Sequence, residues 1–362
     1  MTNPFPRNTL PRKLLLLFTA LSLLLAGCAL FNSREPLEWT RVEATAPDCH
    51  CADGTPFAFW ERRADTTKVV LFLNGGGVCW DAATCAFTGE RGKSDAYTWN
   101  VSGVDPQNRS GMFDTTRGDN PFSEYSFIYV TSCTGDSHLG ASTQEYSTGL
   151  TVEHNGYANG TAALDYLAEQ YPDAEEVVVI GKTAGSVAAP IYGGLVADLL
   201  PDAKVTVLGG QSGAWPDDPD FNTEVLDTDW GAYDAVPDWA TAGLEPDAWS
   251  VPGFWTQAGL HNPDLVLGRF DFAYDPNATS ELTEWLADPA DLLAEIDRNE
   301  AAIEASGVTI HSYTAPGADH QIFEPDKFYE IEVDGVGLAE WIESLVNDEE
   351  PPADAHCGDC GP

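Results

Sequence analysis

Positive charge is scarce in this sequence. Seventeen lysines and arginines stand against 58 aspartates and glutamates in 362 residues, for a formal net charge of −41. Three of the cations, Arg7, Arg12 and Lys13, fall in the first 27 residues, which hold no acid; the rest of the chain carries 14 against 58, or −44. Such a field repels phosphate backbones and anionic lipid surfaces, which excludes nucleic acid as a partner and electrostatic adhesion to a membrane. Internal repeats are lacking too, which excludes solenoids and arrays. Beyond the first 27 residues no apolar run is long enough to span a bilayer. The acids are scattered over loops and helix faces, the pattern of a solvated surface that stays soluble in high salt, as in halophilic proteins, rather than of a dedicated cation-binding face.

The one long apolar run is Leu14 to Leu25, preceded by the three cations and followed by Leu25-Ala26-Gly27-Cys28. A basic start, a short apolar core and small residues before a break are an export signal, too short for a spanning helix. Cysteine directly after Leu-Ala-Gly resembles a lipobox, so residues 1–27 are expected to be a lipoprotein signal peptide and Cys28 the lipidated first residue. Residues 28–45 read as a polar tether, 46–347 as one globular domain, and 348–362 as an acidic tail with two cysteines. The expected address is the cell envelope, outside the cytoplasm, with lipid on Cys28 as the membrane link.

Outside the cytoplasm disulfides are the default state of cysteine. Cys79 and Cys85 flank five residues and are placed to staple one loop. Cys49, Cys51, Cys133, Cys357 and Cys360 cannot be paired from spacing, although Cys49 and Cys51 together with Cys357 and Cys360 would tie the two ends of the domain. Those four, with His356, also have the residue types of a tetrahedral zinc site. Disulfides are the favoured reading, so no metal and no cofactor is expected.

Five segments rich in β-branched and aromatic residues read as strands: Lys68 to Asn74, Ser126 to Ser132, Glu176 to Ile180, Lys204 to Gly209 and Val308 to Pro316. Helices are expected over Gly160 to Gln170, Ser186 to Leu199 and Gly335 to Asn347. Strands alternating with helices give an α/β fold with a mostly parallel sheet. Residues 213–300, with Trp215, Trp230, Trp239, Trp249, Trp255 and Trp285, interrupt that rhythm and read as an insertion forming a lid or pocket wall over the sheet.

Gly181-Lys182-Thr183-Ala184-Gly185 lies between a buried strand and a helix. That is the setting of a G-x-S-x-G nucleophile elbow, in which both glycines are needed because the turn leaves no room for side chains. Threonine stands where such elbows carry serine. In the α/β-hydrolase order an acid and then a histidine follow the nucleophile. His320 comes just after the last core strand and before the final helix. Asp275 ends the segment Leu265 to Asp275, with Asp271 and Asp319 as rivals. Asn74-Gly75-Gly76-Gly77-Val78 follows the first strong strand, where glycines let backbone N–H groups approach an oxyanion.

The chain resembles the pectin acetylesterase family over residues 48–345. The likeness rests on Leu73-Asn74-Gly75-Gly76-Gly77-Val78-Cys79-Trp80-Asp81 with Cys85, then on Asn120-Pro121-Phe122. Further marks are Cys133-Thr134-Gly135-Asp136-Ser137-His138-Leu139-Gly140, His154-Asn155-Gly156, the elbow, and Ala273-Tyr274-Asp275. It implies an α/β-hydrolase-like fold and an esterase acting on O-acyl groups, with Thr183 at the nucleophile, Asp275 at the acid and His320 at the base. It puts Gly76, Gly77 and Ala184 at the oxyanion donors; His138 and His154 fall on motifs read as structural. Gly210-Gln211-Ser212-Gly213 departs from the family pattern, which has Asp before Ser or Ala. The expected substrate is an ester, an acylated glycan or a small one. The alternative is a binding module whose catalysis has lapsed at Thr183.

Overall fold

The computed structural model describes Met1 and residues 37–362, except 108, 283–284, 287–290, 348–349 and 362. The expected export signal, apart from Met1, and Cys28 therefore lie outside the described residues. Among those residues no helix is long and apolar enough to cross a membrane.

Nine strands form one sheet: β1 (Thr40–Glu43), β2 (Ala58–Arg62), β3 (Asp65–Leu73), β4 (Tyr125–Val130), β5 (Glu176–Lys182), β6 (Lys204–Gly210), β7 (Val266–Phe272), β8 (His311–Ala315) and β9 (Ala355–His356). Their spatial order is β1-β2-β4-β3-β5-β6-β7-β8-β9. β1 and β2 pair antiparallel, as do β2 and β4; every pair from β4 across to β9 is parallel. The central strands are buried on both faces, which explains why they read as near-continuous apolar runs instead of alternating ones. One face carries α1 (Gly156–Gln170) and α2 (Ala184–Leu199), with α3 (Val251–His261) and α4 (Leu292–Ala305) packed into the same core; α5 (Leu338–Asn347) closes the other face.

Each of the five predicted strands and three predicted helices has a counterpart within a few residues. Both ends of the domain extend further than expected. Residues 40–43, assigned to a tether, are edge strand β1, and Trp39 before it packs on Phe113, Phe127 and Tyr129. Residues 355–356, assigned to a tail, are edge strand β9 beside β8, and Cys357 and Cys360 behind it are buried.

The 213–300 stretch is not one insertion, because it contains α3, β7 and most of α4, all part of the sheet's own packing. The irregular portion runs from 213 to 250 as short helical turns. Trp215, Trp230, Trp249 and Trp255 are buried there or nearby. Trp230 donates its indole N–H to the Cys79 carbonyl at 2.9 Å, and Trp249 donates to the Ala240 carbonyl at 2.9 Å. Trp239 stacks flat on His261 at 4.4 Å. These rings fill core volume.

Candidate active site

β5 ends at Lys182 and α2 begins at Ala184, so Thr183 alone makes the turn, with φ 50° and ψ −118°. A positive φ is costly for a β-branched residue and persists only where the surroundings enforce it. Here the Thr183 N–H is held by the Gly210 carbonyl at 2.8 Å, and the Thr183 carbonyl accepts from the Ser186 N–H at 2.8 Å. Gly181 and Gly185 are glycine for steric reasons. A Cβ on Gly181 would lie 2.5 Å from the Ser186 Cα, and one on Gly185 would overlap the Leu73 carbonyl oxygen. Both contacts follow from the sharpness of the turn.

The glycine loop leaves the end of β3 and lies over this turn. A Cβ on Gly75 would sit on the Thr183 Oγ1 position and 2.7 Å from the Lys182 carbonyl oxygen, so the hydroxyl rests against that glycine. Gly77 has φ 77°, and its place beside Ala96 and Tyr97 leaves no room for a side chain. The Gly76 carbonyl accepts from the Thr98 N–H at 2.7 Å. Ala184 is the first residue of α2, so its N–H has no carbonyl four residues back within the helix and points along the positive end of the helix dipole.

His138 holds the root of this loop, with Nε2 2.8 Å from the Asn74 carbonyl. A carbonyl only accepts, so Nε2 carries the proton. His154 sits below it, Nδ1 donating to the Thr134 carbonyl at 2.8 Å and Nε2 accepting from the Tyr146 hydroxyl at 2.8 Å. Burial lowers both imidazoles to about 4, so each is neutral near pH 7. Asp136 accepts from Thr134 Oγ1 (2.7 Å), the Gly156 N–H (2.8 Å) and the His138 N–H (3.1 Å). A Cβ on Gly140 or Gly156 would overlap its carboxylate oxygens. The two histidine motifs are thus one buried scaffold under the glycine loop.

His320 lies on the loop after β8, and its Nδ1 is 2.8 and 3.0 Å from the two carboxylate oxygens of Asp275. Asp275 follows β7 and also accepts from the Asn277 N–H at 2.9 Å. The rival acids are engaged elsewhere. Asp271, its carboxyl raised to about 6 by burial, is paired with Arg269 at 2.8 Å and accepts from the Gly213 N–H at 2.8 Å. Asp319 is half exposed and pairs with Lys327.

Thr183, His320, Gly76, Gly77 and Ala184 line one cavity of about 340 Å³, with Asp275 immediately behind His320. None of the six tryptophans of 213–300 lines it. Its wall contains residues that the sequence reading did not single out: Lys93, Arg109 and Lys182, opposed by Asp95 and Glu324. In a chain with 17 cations, three on one cavity wall is the signal that was available. Lys182 stood inside the elbow motif itself.

Among the described residues three disulfides are formed, Cys51–Cys133, Cys79–Cys85 and Cys357–Cys360, and Cys49 is a buried thiol. The staple of the 79–85 loop is as expected. Among the described residues no disulfide ties the two ends of the domain together, and the zinc set does not assemble as a whole: His356, Cys357 and Cys360 lie together, the last two as a disulfide, apart from Cys49 and Cys51. Cys51 bonds back to the segment after β4, Cys49 and Cys51 pack on one face of the sheet, and Cys357 and Cys360 pack on the other. At the departure from the family pattern, Gln211 takes φ 64° and donates its N–H to the Phe270 carbonyl at 2.9 Å. Ser212 bonds Ser186 Oγ at 2.6 Å.

A parallel sheet whose strand ends gather a strained hydroxyl, a glycine loop and a carboxylate-backed imidazole has the architecture of the α/β-hydrolases, and the protein is a carboxylic ester hydrolase of that class. The family model of pectinacetylesterases matches residues 32–230, more than half of the chain, and the chain belongs to that family. Its fold is similar to that of the Wnt deacylase Notum from Drosophila, with a TM-score of 0.66 at 14% identity, covering 91% of this chain and 98% of that one. No curated protein matches the chain.

Proposed function

We propose that the protein removes O-acyl groups, acetyl foremost, from a glycan or small ester, with Thr183 as nucleophile, His320 as general base and Asp275 as its partner. The observation that carries this reading is the shared cavity, in which the Thr183 hydroxyl and the Asp275-backed His320 meet the glycine loop. Thr183 Oγ1 attacks the acyl carbon and His320 Nε2 takes its proton. Negative charge gathers on the former carbonyl oxygen, where the N–H groups of Gly76, Gly77 and Ala184 are the proposed donors. Collapse expels the alcohol, which takes the proton from His320 and leaves an acyl-threonine. Water, deprotonated by His320, cleaves that ester to free acid and restores the hydroxyl.

The net charge disfavours approach of an anionic polymer at low salt. Within the cavity three cations oppose two carboxylates, so the wall itself raises no negative barrier. A neutral acylated glycan or a small ester suits the molecule in dilute buffer, and screening extends the range to acidic glycans. Lipid on Cys28 would hold this activity at the outer face of a membrane.

The test is hydrolysis of an activated acetate ester by the chain from residue 29 in high salt, comparing the natural protein with Thr183→Ala, His320→Ala and Thr183→Ser. Activity abolished by both alanines supports the threonine nucleophile. A silent natural protein revived by Thr183→Ser identifies a lapsed enzyme. Silence throughout in folded protein removes the hydrolytic reading and leaves a binding module.

A further inference from the structure

We infer that Lys182 and Glu324 are positioning residues, a buried ion pair that fixes the loop carrying His320 against the elbow carrying Thr183. The inference rests on the proposed roles of Thr183 and His320. Lys182 immediately precedes Thr183, and Glu324 is four residues beyond His320. Lys182 Nζ lies 2.6 Å from one Glu324 carboxylate oxygen, and Arg109 pairs with the other. The Lys182 side chain is 7% exposed and that of Glu324 18%, so this contact is not a screened surface pair of the kind that contributes little.

The loop needs such a tie. From β8 to the 3-10 turn at Asp326–Tyr329 it has no regular structure, and it opens at Gly317 with φ 99° and free space on the Cβ side. Its other anchors reach other elements: His320 bonds Asp275 beyond β7, and the buried Phe323 ring packs against Gly210 at the end of β6. The Phe323 carbonyl accepts from the Met112 N–H at 2.8 Å, and the Glu324 carbonyl accepts from Ser110 Oγ at 2.7 Å. These fix the loop to the 110–112 segment, whereas the Lys182 pair links it to the strand that ends at the nucleophile.

Electrostatics around the pair explain why both members are needed. Burial acts to raise the Glu324 carboxyl, but Lys182 and Arg109 outweigh it and hold it below its ordinary value, so it stays charged well into the acid range. Burial lowers the Lys182 ammonium, with Arg109 and Lys93 pushing the same way and Glu324 opposing. Removing the Glu324 charge would leave Lys182 and Arg109 facing each other on one cavity wall, with Lys93 nearby. Relief comes from moving the loop, and His320 moves with it. A shift of about 1 Å in a reacting group costs on the order of 100-fold.

The experiment uses Lys182→Met, Glu324→Gln and Lys182→Arg, each shown to be folded by near-ultraviolet circular dichroism at the assay temperature. The first two are expected to lower kcat by roughly 10- to 100-fold with KM changed less than about threefold, and Lys182→Arg to recover most of the loss. A second readout does not depend on turnover. The Nδ1 proton of His320, assigned by its loss in His320→Ala, is followed by proton NMR at pH 5 to 6. It is expected in the natural protein and Lys182→Arg, and exchange-broadened in the other two. If the natural protein is inactive, the proposed function fails while the NMR comparison still decides the positioning role. Retention of that resonance in Lys182→Met and Glu324→Gln, or unchanged kcat where activity exists, overturns the inference.

Discussion

Replacing Thr183 by serine separates two costs that a single rate cannot distinguish. The threonine sits at φ 50° and is 91% buried, with its hydroxyl resting on Gly75. Backbone strain at such a residue is about 1–3 kcal/mol, and serine, lacking the second γ atom, should relieve part of it. Deleting a buried methyl loses about 0.8 kcal/mol of transfer free energy. Thr183→Ser is therefore expected to change stability by between about −0.8 and +2 kcal/mol. Strain present equally in the free enzyme and the transition state cancels from kcat. What slows turnover is the part that grows when Oγ1 leaves Gly75 for the acyl carbon and the methyl turns into the oxyanion space. If that part reaches the same 1–3 kcal/mol, serine raises kcat by about 5- to 150-fold at ~1.4 kcal/mol per decade. Urea denaturation gives the first quantity; the burst of released alcohol followed by steady-state acetate release gives the second. A serine variant with unchanged kcat, in a protein whose threonine is demonstrably acylated, would refute the claim that the methyl obstructs the reaction.

Four further outcomes are expected. Asp275→Asn should lower kcat by roughly 100- to 10,000-fold with little change in KM, read from steady-state kinetics, because His320 loses the carboxylate that orients it. Deacylation of an acidic glycan should speed up between 0.1 and 2 M salt while that of a neutral ester stays nearly constant; parallel curves would mean that the surface field plays no part. Reducing Cys51–Cys133, which spans 82 residues, should cost about 4–5 kcal/mol of unfolding free energy in the chain-entropy account, measured by urea titration with and without reductant. His138 and His154 have folded values of about 4, below the ordinary 6.5, so the folded state binds fewer protons than the unfolded one. Their contribution is complete above pH 6.5 and lost as pH falls toward 4. Asp136, raised to about 6 by burial, works the other way over nearly the same window. Asp136→Asn should therefore steepen acid destabilisation and His154→Gln should flatten it, both visible in Tm against pH.

The parts of the fold legible from sequence are those with one dominant physical cause. β3 to β6 have cores buried on both faces and so announce themselves as apolar runs, and the glycines of the elbow mark a turn with no room for a Cβ. β1, β2 and β9 gave no such signal. β1 has Arg41 and Glu43 pointing to solvent, β2 contains Glu61 and Arg62, and β9 is two residues long. Arg62 is buried all the same, its guanidinium against Trp39 and Phe127 and bonded to the Phe113 carbonyl at 2.7 Å, an arrangement only the tertiary fold creates. The Asp275–His320 contact could be anticipated from chain order, since both follow strand ends. The Lys182–Glu324 pair could not, because its members are 142 residues apart, Lys182 fills an unspecified position of the elbow motif and Glu324 belongs to no motif. The pairing of Cys51 with Cys133 was hidden for the same reason.

The two outermost strands have a consequence for how the molecule behaves among its own copies. A parallel sheet open at both sides offers two templates for further strands, the usual route from a soluble α/β protein to an aggregate. In this chain each rim is occupied by one end of the polypeptide, residues 40–43 on one side and 355–356 on the other. The first rim strand carries charge outward, and the second is too short to recruit a neighbour. Shortening the chain at residue 350 to remove what looks like a tail would bare the β8 backbone from His311 to Ala315 along with the apolar surface under Cys357 and Cys360. Such a truncated chain should remain folded at low concentration and self-associate as concentration rises, which makes the last dozen residues a determinant of shelf life and yield rather than a dispensable appendage.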